Sequence, residues 1–134
     1  MSTAEYYKVE IEVPDLGGKA IAHLNRANLP LTMYTLYKYL LDNKFITGRA
    51  RWQDPEKKDA LYFDVRLHRG KEGQPGTLQR GELGYSYKMD SIYIALADQP
   101  SLPVDTAKLG EVIEGIELFE NARNGASVKM KLAK

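Results

Sequence analysis

Five stretches of this chain alternate apolar and polar residues with a period of two. Tyr7, Val9, Ile11 and Val13 alternate with Tyr6, Lys8, Glu10 and Glu12. Phe63, Val65 and Leu67 alternate with Tyr62, Asp64, Arg66 and His68. Leu83, Tyr85, Tyr87 and Met89 follow the same rule, as do Ile92, Ile94 and Leu96, and then Val128, Met130 and Leu132. Period two puts one face of each strand in a core and the other in water. Many short, half-buried strands leave unpaired edges unless they are hidden in a sandwich or a closed barrel. The fold class that follows is mainly β.

The connecting segments fit this reading. Pro14-Asp15-Leu16-Gly17-Gly18 is a turn by its chemistry, which makes residues 19–24 a hairpin partner for residues 6–13. Met33, Leu36, Tyr37, Leu40 and Leu41 change the period to that of a helix. Pro30 suits its first turn, Asn28 is a candidate cap and Asp42-Asn43 a candidate end. Residues 45–52 read as an irregular strand, and residues 53–59, 69–79 and 98–108 as loops. Ile116, Phe119 and Ala122 mark a second helix over about 114–123, stopped by Asn124-Gly125. The total is seven or eight strands and two helices. A helix at each end would plug the two mouths of a barrel.

Composition narrows the chemistry. A length of 134 residues predicts a single domain over 1–134. A net charge of +1 argues against a protein that grips nucleic acid through its phosphates. The absence of cysteine excludes disulfides, iron–sulfur clusters, thiolate zinc sites and a cysteine nucleophile. His23 and His68 lie on separate strands, with no carboxylate at helical ligand spacing, so neither a metal nor another cofactor is expected. No apolar run is long enough to span a bilayer, and residues 1–7 lack a signal-peptide pattern; a cytoplasmic protein without membrane partners is expected. Ser86 and Ser91 have no adjacent histidine and read as strand and turn hydroxyls. Gly70-Lys71-Glu72-Gly73 lacks the spacing of a phosphate loop and reads as a flexible connection.

Two groupings remain. Arg49, Arg51, Arg66, Arg69 and Arg80 fall within 32 residues. Arg49 and Arg51 share one strand face, and Arg66 shares another with Tyr62 and His68. If those strands pair, they form a cationic surface suited to a carboxylate, phosphate or peptide carbonyl. The plainer reading is a solvated exterior whose charges pair with Asp54, Asp59 or Asp64. The aromatics Trp52, Tyr62, Tyr85, Tyr87 and Tyr93 also sit on or beside strands, where core packing explains most and a pocket one or two. Tyr34, Tyr37 and Tyr39 on the first helix read as packing and rim residues.

The order of segments resembles the cyclophilin fold, and more closely a small prokaryotic cyclophilin-like family. Leu24 to Thr32 is similar to the Leu…Pro-x-Thr run into the first cyclophilin helix. Arg51-Trp52 and Tyr62-Phe63 are similar to the family's paired strands. Arg80-Gly81-Glu82-Leu83 with Tyr85 resembles its Arg-Gly-Asp-Ile-x-Tyr, and Leu109-Gly110-Glu111-Val112-Ile113-Glu114-Gly115 its Phe-Gly-Lys-Val-x-Glu-Gly. The resemblance implies a closed eight-stranded β-barrel capped by two α-helices. Cyclophilin isomerases use an Arg, a Gln, several aromatics, and a Trp and a His from a later loop. Here residues 91–110 hold neither Trp nor His, and the Arg…Phe…Gln spacing is missing. Trp52 is followed by Gln53 rather than Gly, and residues 54–59 form an inserted charged loop. Lys88-Met89-Asp90 replaces the family's Pro-Pro-Gly.

The expectation is therefore a peptide- or small-molecule-binding module without efficient isomerase chemistry. Its candidate site comprises Arg49, Arg51, Trp52, Tyr62, Tyr87 and Tyr93. The alternative is a divergent peptidyl-prolyl isomerase with Arg51 as its guanidinium; a third reading is an enzyme of another class on a borrowed barrel.

Overall fold

The computed structural model describes residues 6–25 and 27–133. Arg26, within the stretch likened to the cyclophilin helix start, and most of the N-terminal segment read for a signal peptide lie outside the described residues. Among the described residues nine strands form one sheet: β1 (Tyr6–Val13), β2 (Gly18–Asn25), β3 (Phe45–Arg49), β4 (Arg51–Trp52), β5 (Ala60–Asp64), β6 (Glu82–Ser86), β7 (Ser91–Ala95), β8 (Ala107–Glu114) and β9 (Ser127–Leu132). Their spatial order is β3-β9-β1-β2-β8-β6-β7-β5-β4, and every pair is antiparallel. The two outermost strands, β3 and β4, are consecutive in the chain and separated only by Ala50. The sheet therefore curls until its ends meet, and the barrel is nearly closed.

The expected eight strands become nine because the 45–52 segment breaks at Ala50. Its N–H and C=O both turn to the 125–126 backbone. Before the break the chain pairs with β9, and after it with β5.

The alternation in the sequence is the inside–outside code of this barrel. Val9, Ile11, Val13, Ala20, Ala22 and Leu24 fill its interior from β1 and β2, and Leu61, Phe63, Ile92 and Ile94 from β5 and β7. Helix α1 (Pro30–Asn43) lays Met33, Leu36 and Leu40 on the same core. The second helix is not an α-helix over 114–123. Strand β8 runs on to Glu114, and a single 3₁₀ segment (Ile116–Asn121) follows, burying Phe119. Strand β8 was hidden in the sequence because two irregularities shift its register, one against β2 and one against β6. A bulge of this kind breaks the alternation that marks a strand.

Two expected strands end early. Strand β5 stops at Asp64, because Arg66 and His68 adopt positive φ (56° and 55°). Strand β6 stops at Ser86, and residues 87–90 make the turn into β7. Tyr87 and Met89 are turn residues.

Asn28 does not cap α1. Its side chain binds Lys108 O and Gln74 N instead. The helix is capped from 40 residues away. Glu72 accepts the Leu31 and Thr32 amides at 2.7 and 2.8 Å and the Thr32 hydroxyl at 2.7 Å. Burial pushes the Glu72 carboxyl up, but these three hydrogen bonds and the Arg69 charge outweigh it and hold the group below its ordinary value of 4.5. A depressed folded-state value contributes stability that is complete above the unfolded value and lost as pH falls through the folded one. Glu72→Ala is expected to cost about 1–2 kcal/mol at pH 7, in the range of lost helix caps. Glu72→Gln should lose the acid-dependent part of that contribution. Urea unfolding of the three proteins at pH 7 and pH 3 checks this: the gap between wild type and Gln variant must narrow at the lower pH.

Candidate ligand groove

Period two along β3 and β4 sends Ile46, Gly48, Ala50 and Trp52 inward and Arg49 and Arg51 outward. Antiparallel pairing then puts Tyr62 directly opposite Arg51, and Ser91 directly opposite Asp64. These residues and Met89 line an open groove of about 410 Å³ on the outer wall: Arg49, Arg51, Tyr62, Asp64, Met89 and Ser91. That volume lies in the range of small-molecule sites.

The floor of the groove crosses the barrel's seam. The backbone of β3 pairs with β9 and not with β5. Its groups facing β5 are satisfied by side chains instead. The Arg49 amide donates to Asp64 Oδ1 at 3.3 Å, and Arg66 Nη2 donates to the Thr47 carbonyl at 2.8 Å. The Arg66 Nη1 to Asp64 Oδ2 contact, at 2.6 Å, links the two. Gly48 permits the close approach, since a Cβ there would come within 2.5 Å of the Asp64 carbonyl oxygen.

The three guanidiniums are unequally engaged. Arg66 is paired. Arg49 donates through Nη1 to the Gly125 carbonyl at 3.0 Å and keeps its remaining donors. Arg51 enters no salt bridge and no hydrogen bond among the described residues, and its side chain is exposed beside Tyr62. A guanidinium offers a planar fork of donors that fits a carboxylate with two parallel bonds. Of the three aspartates expected to neutralise the arginines, Asp64 alone does so. Asp54 accepts the Glu56 and Lys57 amides of its own loop, and Asp59 accepts the Ser101 amide.

Tyr62 is held in place from the neighbouring strand, where Tyr93 is its direct partner. Its ring stacks on Tyr93 with centroids 4.7 Å apart and planes 20° off parallel. Tyr93 is 0% exposed, and Thr106 and Leu78, from loops 97–106 and 74–80, lie over Gly84, its cross-strand partner on β6. Gly84 is required below that cover, since a Cβ there would lie 2.6 Å from Thr106 Cγ2 and 3.2 Å from Leu78 Cδ1. The Tyr93 hydroxyl donates to Gln53 Oε1 at 3.3 Å. Burial, chiefly, with the neighbouring Tyr62 and Asp105, raises the Tyr93 phenol well above its ordinary value of 10 and keeps it neutral.

The expected site is thus brought together only in part. Arg49, Arg51 and Tyr62 line one groove. Trp52 is 7% exposed and belongs to the core, where its Nε1 donates to the Ala122 carbonyl at 3.1 Å. Tyr93 is a buried support, and Tyr87 packs half-buried against the core. Met89 and Ser91 were missed as groove residues; the signal for Ser91 was the register that pairs it with Asp64.

His23 stacks on Tyr6, and His68 lies 3.2 Å from Asp90. Among the described residues no three His, Cys, Asp or Glu side chains converge as metal ligands. No helix among them is long and apolar enough to cross a membrane.

No protein-family profile and no curated protein matches the chain. Among solved structures, it is similar to the solution structure of a hypothetical protein from Archaeoglobus fulgidus. The TM-score is 0.75 at 17% identity, over 98% of each chain. That likeness carries the fold.

Proposed function

We propose that the protein is a binding module whose outer-wall groove takes a small molecule or peptide carrying a carboxylate next to an apolar or aromatic group. The observation that carries this reading is the unpaired Arg51 guanidinium directly across the strand pair from the Tyr62 ring. A carboxylate fits the fork of Arg51, with Arg49 as a second cation. The ring and the Met89 side chain offer an apolar wall. The reading keeps a cyclophilin-like architecture: counting β3 and β4 as one strand interrupted at Ala50 leaves eight staves, with α1 and the 3₁₀ segment as their caps. Its setting is the cytoplasm.

The test is a ¹⁵N NMR titration with N-acetylphenylalanine and with its uncharged amide. The acid should shift the amides of residues 49–51, 62 and 89–91 in the millimolar range, and the amide should bind about tenfold more weakly, as loss of a charged hydrogen-bond partner predicts. Arg51→Ala should weaken the acid by a similar factor. Shifts confined to another surface, or equal binding by the variant, would overturn the assignment.

A second reading, divergent prolyl isomerisation, draws on the same Arg51. A guanidinium bonded to the proline amide nitrogen weakens the resonance behind the roughly 18–20 kcal/mol barrier. With Trp52 and Tyr93 buried, the groove lacks an enclosed slot for the twisted ring. No acceleration of a Pro-containing test tetrapeptide is therefore expected in a protease-coupled assay. Acceleration that Arg51→Ala abolishes would replace the first reading with the second.

A further inference from the structure

We propose that α1 is a self-association surface through which two copies of this chain pack antiparallel across a two-fold axis. Helix α1 is apolar on two sides. Met33, Leu36 and Leu40 face the core, and Leu31, Tyr34 and Leu41 face outward with Lys38 among them. Leu31 and Tyr34 are each 58% exposed and Leu41 is 54% exposed. At 100° per residue these four outward positions fall within an arc of about 80°. Core packing explains the first stripe and leaves the second without a partner.

The spacing of the outer stripe identifies the partner. Leu31, Tyr34, Lys38 and Leu41 follow steps of three, four and three. That pattern reads the same in both directions. A two-fold axis on this outer face, at the level of position 36 along the helix, therefore sets Leu31 of one copy against Leu41 of the other at both ends. At the centre it sets Lys38 of each copy over the Tyr34 ring of its mate, a cation–π pair made twice. An axis at Lys38 would instead juxtapose two ammonium groups. The one charged residue of the stripe thus selects the register as well as the occupant. A face one helix wide falls short of the about 800 Å² per partner of a standard interface, so the dimer is weak, with a Kd on the order of 100 µM.

The chain's lack of cysteine makes the register directly testable. Residues 31 and 41 lie about 15 Å apart along a helix, too far for a disulfide between two copies of the same position in this arrangement. An equimolar mixture of Leu31→Cys and Leu41→Cys proteins, both altered at exposed positions, should oxidise to a cross-linked heterodimer. Either protein alone should not cross-link. Sedimentation velocity of wild type from 10 µM to 1 mM should show a rise from 15 kDa toward twice that mass. Leu41→Lys should raise the Kd at least about tenfold, as removal of a buried anchor does. A wild-type chain that stays monomeric across that range overturns the proposal. So does a monomer that sediments with phospholipid vesicles, or efficient cross-linking of Leu31→Cys by itself.

Discussion

Trp52→Ala is expected to lower stability by about 3–5 kcal/mol, the cost of deleting a large aromatic from a packed core. The indole lies on the inner wall of the barrel, with Leu61 its direct cross-strand neighbour. Its N–H is the donor to the Ala122 carbonyl, and its own amide donates to Asn124 Oδ1 at 2.9 Å. Trp52 therefore ties the point where the two ends of the sheet meet to the segment between the 3₁₀ helix and β9. Truncation opens a cavity and orphans a buried carbonyl together. For a domain of this size the loss corresponds to a fall in Tm of roughly 12–20 °C. Trp52→Phe keeps most of the volume and loses only the donor, so its cost should be nearer 1–2 kcal/mol. Far-UV circular dichroism gives both values without the fluorescence of this single tryptophan. A fall of less than about 5 °C for the Ala variant would remove Trp52 from the core, and with it the inward phase assigned to the 45–52 segment. Carboxylate binding should survive in either variant below the transition, because Arg51 points to the opposite face.

That opposition of Arg51 and Trp52 also marks where sequence reading reached and where it stopped. Adjacent residues of a strand cannot share a wall, so grouping both in one site conflicted with the alternation used to find the strand. Alternation alone sorts Arg49 and Arg51 from Trp52. Tyr93 failed for a different reason. It lies on the outer phase of β7, where period two predicts exposure, yet it is buried, and no local pattern announces the loop residues that lie over its cross-strand partner Gly84. Tyr62 was legible as an outward residue of β5, but its partnership with Arg51 needed the strand register, a long-range property. Strand β8 and the remote Glu72 cap were illegible for related causes. A bulged strand loses its period, and a cap supplied from a distant loop leaves no spacing near the helix it serves. The mainly β architecture was legible because five separate stretches of the chain repeat one pattern.

The same long-range logic makes Asp90 the second large point of sensitivity. Its Oδ1 accepts the Tyr85 hydroxyl at 2.8 Å and the Leu67 amide at 2.9 Å, and Oδ2 faces the His68 amide at 3.1 Å. Its own carbonyl accepts the Val65 amide at 3.0 Å. One residue thus holds the 65–68 segment in place while Arg66 and His68 sit at positive φ. Asp90 itself has φ 50°, a region that Asp tolerates better than most side chains. Burial, first, and then the bond to Asp90 raise the Tyr85 phenol well above its ordinary value, so it remains a donor throughout the physiological range. Asp90→Ala leaves a buried hydroxyl and a buried amide without acceptors and puts Ala at positive φ. The expected cost is about 3–4 kcal/mol. Asp90→Asn keeps one acceptor oxygen and the tolerance for positive φ, and should cost about 1 kcal/mol. The two variants also separate stability from the groove. Once the 65–68 segment loosens, the Arg66 guanidinium is released from Asp64 and from the Thr47 carbonyl. Hydrogen exchange at the Leu67 and Arg49 amides should therefore accelerate in Asp90→Ala at temperatures where the barrel is still folded. Unchanged protection at Arg49 would mean that the seam holds without Arg66, and that the groove floor is set by Gly48 and Asp64 alone.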